Sequence, residues 1–199
     1  MNRQALQASR ARRGVTLIEV MVLVTILGTL ALFAIPSMQQ TGIMRVRTAA
    51  RTLVADIAFV QADAMAYQSR RAIWFGKVPQ FNEGSNTWTF VDGNGYTMVE
   101  VNGPTLDLAT DAMFDPEQLD RPYGRNFDEN NYGGALIDEV TSDTDDLLIF
   151  DELGGPVAEL DGPAPGTGAQ VVIEGAGERL RIDIQPFTGR VTVDVLPGS

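Results

Sequence analysis

The sequence predicts an α+β protein. A long N-terminal α-helix, transmembrane in its first half and amphipathic in its second, packs on a C-terminal antiparallel β-sheet or sandwich. Three observations carry this expectation. Val15 to Ile35 is a long, mostly apolar run with Glu19 as its only charge, apolar residues between Ile43 and Tyr67 recur at steps of three and four, and after Arg71 the pattern shifts to period two.

The first fourteen residues hold Arg3, Arg10, Arg12 and Arg13 and no acid, a charge of +4. By the positive-inside rule this segment stays cytoplasmic and the remainder lies across the membrane. Val15–Ile35 then supplies 21 residues, enough to cross a ~30 Å hydrocarbon core at ~1.5 Å per residue. A secretory signal peptide would have an apolar region of about 7 to 15 residues and end at a small-x-small site. This run is longer, lacks a clear site of that kind and continues past Pro36 into a second helical pattern. An ordinary uncleaved anchor leaves Glu19 unexplained, because a charge inside a span is costly and calls for a partner. Snorkelling of Glu19 to the headgroups is the simpler alternative.

In the second half, Ile43, Val46, Ala50, Leu53, Ile57, Val60, Ala64 and Tyr67 draw one stripe along a helix. Arg45, Arg47, Arg51, Asp56, Asp63 and Arg70 mostly avoid it and predict a solvent-facing side. The helix is expected from about Val15 to Ser69, with Pro36 removing one backbone hydrogen bond and Gly42 loosening the junction. A sheet following directly in sequence would cover the stripe; a heptad coiled coil is the alternative.

Strands are predicted at Ala72–Phe75, Thr87–Val91, Tyr96–Val101, Leu147–Phe150, Ala169–Glu174, Arg179–Gln185 and Arg190–Val195. Turn signals such as Asp92-Gly93-Asn94-Gly95 and Thr188-Gly189 separate them. The last two strands flank a Pro-Phe-Thr-Gly turn and read as a hairpin. Between Asn102 and Asp146 an acidic, Asn/Gly-rich stretch with short apolar patches predicts an extended loop or insertion.

Composition narrows the function. The length allows one domain beyond a membrane segment. There is no His and no Cys, so the commonest general base, thiol nucleophiles, disulfides and zinc thiolate sites are absent, and no enzyme is expected. From Ala72 to Ser199 there are 23 acids against 6 bases, a balance of −17, which disfavours nucleic acid as a partner. Asp143, Asp145 and Asp146, and Asp128, Glu129 and Asn130, could supply oxygen ligands for calcium. Neither group matches the EF-hand pattern, and solvated loop acids are the simpler reading. No other cofactor is indicated. Gly162 to Gly168 lacks the Gly-Lys-Ser/Thr ending of a phosphate loop and reads as turns.

Basic leader, Gly14-Val15-Thr16-Leu17-Ile18-Glu19, apolar helix and Pro36 fall in one register. This arrangement resembles the class III signal of type IV prepilins and type II secretion pseudopilins. The resemblance implies cleavage between Gly14 and Val15 by a prepilin peptidase, methylation of the new amino terminus at Val15, and an assembly role for Glu19 at the fifth mature position. Pro36 would be the helix-kinking proline. In a bundle of such helices, a neighbour's cationic amino terminus can neutralise Glu19 in low dielectric.

The segment TAARTLVADIAFVQADAMAYQSRRAIWF and the endings LLIFDELGGPV, VVIEGAGERLRIDI and TGRVTVD resemble the GspH/FimT group of minor pseudopilins and minor pilins. A pilin-like fold is thereby implied: a cleaved leader at 1–14, a transmembrane and assembly helix at 15–35, its amphipathic half at 36–71, and a periplasmic β-rich domain at 72–199 with an acidic insertion at about 102–146. The implied function is that of a minor pseudopilin helping to initiate or cap the pseudopilus of a type II secretion system. The implied location is the bacterial inner membrane, crossed once. The implied partners are other pilin or pseudopilin subunits, met through the N-terminal helix, and the inner-membrane assembly platform. A minor type IV pilin is the alternative, and a membrane-tethered monomeric binding domain or enzyme is the reading from another class. Some FimT-like pilins bind DNA through basic tails, but here Val191–Ser199 contains Asp194 and no base.

Overall fold

A computed structural model describes residues 15–129 and 131–197, with backbone alone at 31–40. The leader and Gly14 lie outside the described residues, as does the side chain of Pro36. The chain forms two compact units, one ending at Gln39 and one from Gln40 to the C-terminus.

Helix α1 spans Leu17–Tyr67. It ends where Gln68 adopts a left-handed backbone (φ 52°) and Ser69 N–H donates to Ala64 C=O at 3.2 Å, a closure that satisfies one of the orphan carbonyls of the last turn. Among the described residues no helix is long and apolar enough to cross a membrane. The spanning role expected of Val15–Ile35 therefore draws no support from the structure, which describes the side chains of that run only over residues 15–30.

Within the second unit every strand pairing is antiparallel. β1 (Arg71–Asn82) and β2 (Thr87–Glu100) form a long hairpin. β5 (Gly124–Asn126), β7 (Leu147–Phe150) and β8 (Pro156–Val157) extend it into a five-stranded sheet of order β5-β2-β1-β7-β8. β6 (Leu136–Ser142), β9 (Ala169–Gly175), β10 (Glu178–Ile184) and β11 (Val191–Leu196) form a second sheet of order β11-β10-β9-β6, while β3 (Phe114–Asp115) and β4 (Gln118–Pro122) pair alone. A four-residue helix α2, Leu108–Asp111, is capped by the Asp107 side chain.

The α1 stripe supplies the centre of the core. Val46, Ala49, Ala50, Leu53, Ile57, Val60 and Ala64 are buried together with Ile73, Phe75, Tyr96 and Met98 of one sheet and Val171, Ile173, Leu180, Ile182 and Ile184 of the other. A sheet, not a coiled-coil partner, covers the stripe. Its two ends depart from expectation: Tyr67 is exposed and Ile43 only half-buried. A second cluster, Ala72, Val99, Val101, Ile149 and Val157, fills the opposite face of the five-stranded sheet.

Two expectations for this half are corrected. Asp92-Gly93-Asn94-Gly95 does not reverse the chain. It lies inside β2 opposite Gly76 (φ 73°), where the register jumps from Phe75↔Tyr96 to Lys77↔Asp92. Such a bulge bends a strand without ending it. A Cβ on Gly95 would fall 1.9 Å from Arg125 C=O, so only glycine lets β5 dock there. Nor is 102–146 an extended loop. It holds α2 and β3 to β6, and its Met113, Tyr123, Phe127 and Ala135 enter the main core. Asn94 anchors part of it, donating to Ala135 C=O (2.8 Å) and accepting from Ile137 N–H (3.0 Å). The short apolar patches in this stretch are single anchors of short strands, too brief to display a period.

Candidate functional site

Two places in the described chain concentrate charge where apolar residues dominate. The first is the start of α1. Thr16 is its N-cap: Glu19 N–H donates to Thr16 Oγ1 at 3.3 Å, and Glu19 occupies the third helical position, as in a Thr-x-x-Glu capping box. A carboxylate in the first turn is also favoured by the helix dipole. Among the described residues the Glu19 carboxylate itself has no partner. Thr25 and Thr29 turn their hydroxyls onto Met21 C=O (2.8 Å) and Ile26 C=O (2.9 Å), so they satisfy themselves within the helix. Val15, Leu17, Ile18 and Met21 through Leu30 are exposed all round. Glu19 is the one charge between residues 15 and 30.

The second place is Asp56, expected on the solvent side and found buried. Three residues after Leu53 and four before Val60, it falls on the apolar stripe, and that spacing was the signal that could have revealed it. Its carboxylate accepts from Tyr96 Oη (2.8 Å), Tyr123 Oη (3.2 Å) and Arg125 Nε (3.0 Å), and the Arg125 guanidinium lies 5.1 Å from the Tyr123 ring centre. Burial and then the nearby Asp56 charge push the Tyr96 hydroxyl well above its ordinary pKa. The same causes raise Tyr123 to about 12. At Arg125 burial opposes the charge, but the bond to Asp56 and its attraction outweigh that and raise the pKa. The cluster is a clasp, tying α1 to β2 and β5.

Other charges assigned to the solvent side also pair across the unit. Arg47 binds Glu178 at 2.7 Å, Asp63 binds the buried Arg71 at 2.6 Å, and Arg70 donates to the carbonyls of Glu159, Leu160 and Gly162. Arg51 makes no such bond among the described residues.

Several of the candidate calcium residues have hydrogen-bond partners within the unit. The Asp143 carboxylate accepts from Thr167 N–H and Oγ1, both at 2.7 Å. The backbone carbonyls of Asp145 and Asp146 accept from Ser142 Oγ and Phe75 N–H. Asp128 accepts from Asn94 Nδ2 at 3.1 Å; Asn130 lies outside the described residues. Among the described residues no group of three or more acids is arranged to hold a metal ion.

Comparison of the chain with protein-family models, with curated proteins and with solved structures finds no match.

Proposed function

We propose that this chain is a minor pseudopilin, a structural subunit that helps to initiate or cap the periplasmic pseudopilus of a type II secretion system. The observation that carries the reading is Glu19: an unpartnered carboxylate in the first turn of α1, and the one charge among residues 15–30. In a tethered monomer that charge serves only the start of its own helix. A bundle of identical or related helices can use it, because a neighbour's amino terminus beside Glu19 fixes register as well as contact. Gly14 and Val15 would then be the peptidase cleavage site, and Val15 the methylated terminus. The run Val15–Ile35 would hold the subunit in the inner membrane before assembly, its C-terminal domain in the periplasm, and the assembly platform would draw it into the filament. These roles rest on the sequence register of leader, glycine, glutamate and Pro36. The tail from Val191, with Asp194 and no base, argues against a DNA-binding role.

The test is processing. With prepilin peptidase present, the membrane-extracted protein should have an intact mass that starts at Val15, and Gly14→Asp should leave residues 1 to 14 attached. A wild-type chain that retains its leader would overturn the proposal.

A further inference from the structure

A sheet edge exposes unpaired backbone groups, and among the described residues three of the four edges of the two larger sheets carry a feature that discourages further pairing. β5 is three residues long, β8 is two residues opening on Pro156, and β6 is bulged between Ile137 and Glu139. β11, the fourth edge, runs six residues with no bulge, proline or lysine. Its ladder to β10 determines which of its backbone groups are unpaired. Gln185 N–H donates to Arg190 C=O at 2.9 Å, and hydrogen-bonded pairs alternate along an antiparallel ladder. Thr192, Asp194 and Leu196 therefore bond to β10, and the N–H and C=O groups of Val191, Val193 and Val195 point outward in the plane of the sheet.

The side chains of the same valines lie on the face of the sheet that packs on α1, opposite Ile184, Ile182 and Leu180. Leu180 and Ile182 are buried against α1, whereas Val193 and Val195 remain 47% and 70% exposed. Between them and Ala50, Val54 and Ala58 of α1 runs a groove of about 590 Å³, which the small alanine side chains leave open. Arg47 and Arg51 rim it. Glu178 holds Arg47 at 2.7 Å, and Arg51 meets no acid among the described residues.

We propose that β11 receives an extended segment of a different polypeptide as a further strand of the sheet. Alternate apolar side chains of that segment enter the groove, and a carboxylate on the same side meets Arg51. The backbone selects the conformation, since only an extended chain answers a row of N–H and C=O groups at strand spacing. The valines and Arg51 select the side chains. A second copy of this chain offers no such acid from either long edge. On β11, Asp194 lies on the opposite face, bonded to Arg181; on β6, Asp138 is bonded to Arg179, and Glu139 sits opposite Val172, on the face away from Val171 and Ile173. One added strand fills the edge once, so the contact does not propagate. The inference stands apart from the filament reading and needs no assembly of α1.

The probe is a labelled peptide, acetyl-Ser-Val-Thr-Val-Thr-Glu-Thr-Val-amide, titrated into the full-length protein in detergent. It should bind saturably and slow amide exchange at Val191, Val193 and Val195 by about tenfold, leaving Thr192 and Asp194, already in the ladder, unchanged. Methylating one alternate set of the peptide's amide nitrogens should abolish binding and methylating the other should not, because only one set faces β11. Arg51→Glu should weaken binding by about tenfold, and a peptide with Lys in place of Glu should recover it. Leu136→Lys on the β6 edge and Glu19→Ala in the apolar helix should both leave binding unaltered, which separates this contact from the helix bundle. Absence of saturable binding, equal effects of the two methylated sets, or failure of the charge swap would overturn the proposal. So would valine amides already protected in the protein alone at micromolar concentration, which would give the edge to a second copy.

Discussion

The Tyr96 hydroxyl donates to the Asp56 carboxylate at 2.8 Å across 40 residues of sequence, inside a core that is otherwise apolar at that level of α1. Asp56 cannot be left bare there, and Arg125, which reaches it from β5, supplies the opposite charge. Asp56→Asn should therefore cost about 3 kcal/mol, the low end for breaking a buried pair, since Arg125 keeps some contact with water. Adding Arg125→Gln should cost less than the sum of the single changes. Urea unfolding of residues 40–199 measures both, and strict additivity would show that the two side chains act independently.

The clasp also sets an alkaline limit. Both tyrosines hold their protons more tightly when folded than when unfolded, so their contribution is complete below pH 10. It should decline as pH rises from about 10 through the Tyr123 value of about 12. Urea midpoints should fall over that window, and Tyr123→Phe should flatten the fall. An equally steep decline in the Phe variant would assign it to other groups.

Leu53 and Ile57 are fully buried where α1 meets both sheets. Leu53→Asp or Ile57→Asp puts an unpaired charge there, at a cost of several kcal/mol, enough to unfold a marginal domain. Loss of cooperative unfolding by circular dichroism is the expected result. Unchanged midpoints in both variants would mean that the stripe faces elsewhere.

The stripe was legible because helix periodicity survives single exceptions, and the closing hairpin because Arg179 to Val195 alternates cleanly around its turn. Ile184↔Val191 is indeed the innermost pair. What escaped depends on residues distant in sequence. Asp56 reads as surface until Tyr96, Tyr123 and Arg125 are brought to it. Asp92-Gly93-Asn94-Gly95 has the composition of a turn, but its second glycine admits the Arg125 backbone. Strands as short as β3, β5 and β8 carry no period at all. At the N-terminus the structure adds that Thr16 caps the turn that holds Glu19.

Gly95→Ala should be disproportionately harmful for a one-carbon change. Its Cβ would collide with Arg125 C=O, a backbone atom, and would push away the strand that carries Arg125. A loss of at least the ~1 to 3 kcal/mol typical of overpacking is expected, read again as a urea midpoint. Gly103→Ala, where a Cβ meets nothing within 4 Å, should leave it unchanged.

The filament reading turns on Glu19. Glu19→Ala should make the isolated helix easier to hold in lipid, where a carboxylate costs up to ~3 kcal/mol. It should also leave a neighbour's amino terminus unpaired in a bundle, where losing one partner costs roughly 3 to 5 kcal/mol. The decisive measurement is disulfide crosslinking between subunits with single cysteines placed along Val20–Ile35, read together with secretion, in wild type and Glu19→Ala. The account predicts that crosslinking and secretion are lost in Glu19→Ala while cleavage and membrane association persist. Equal crosslinking and secretion in both chains would contradict it.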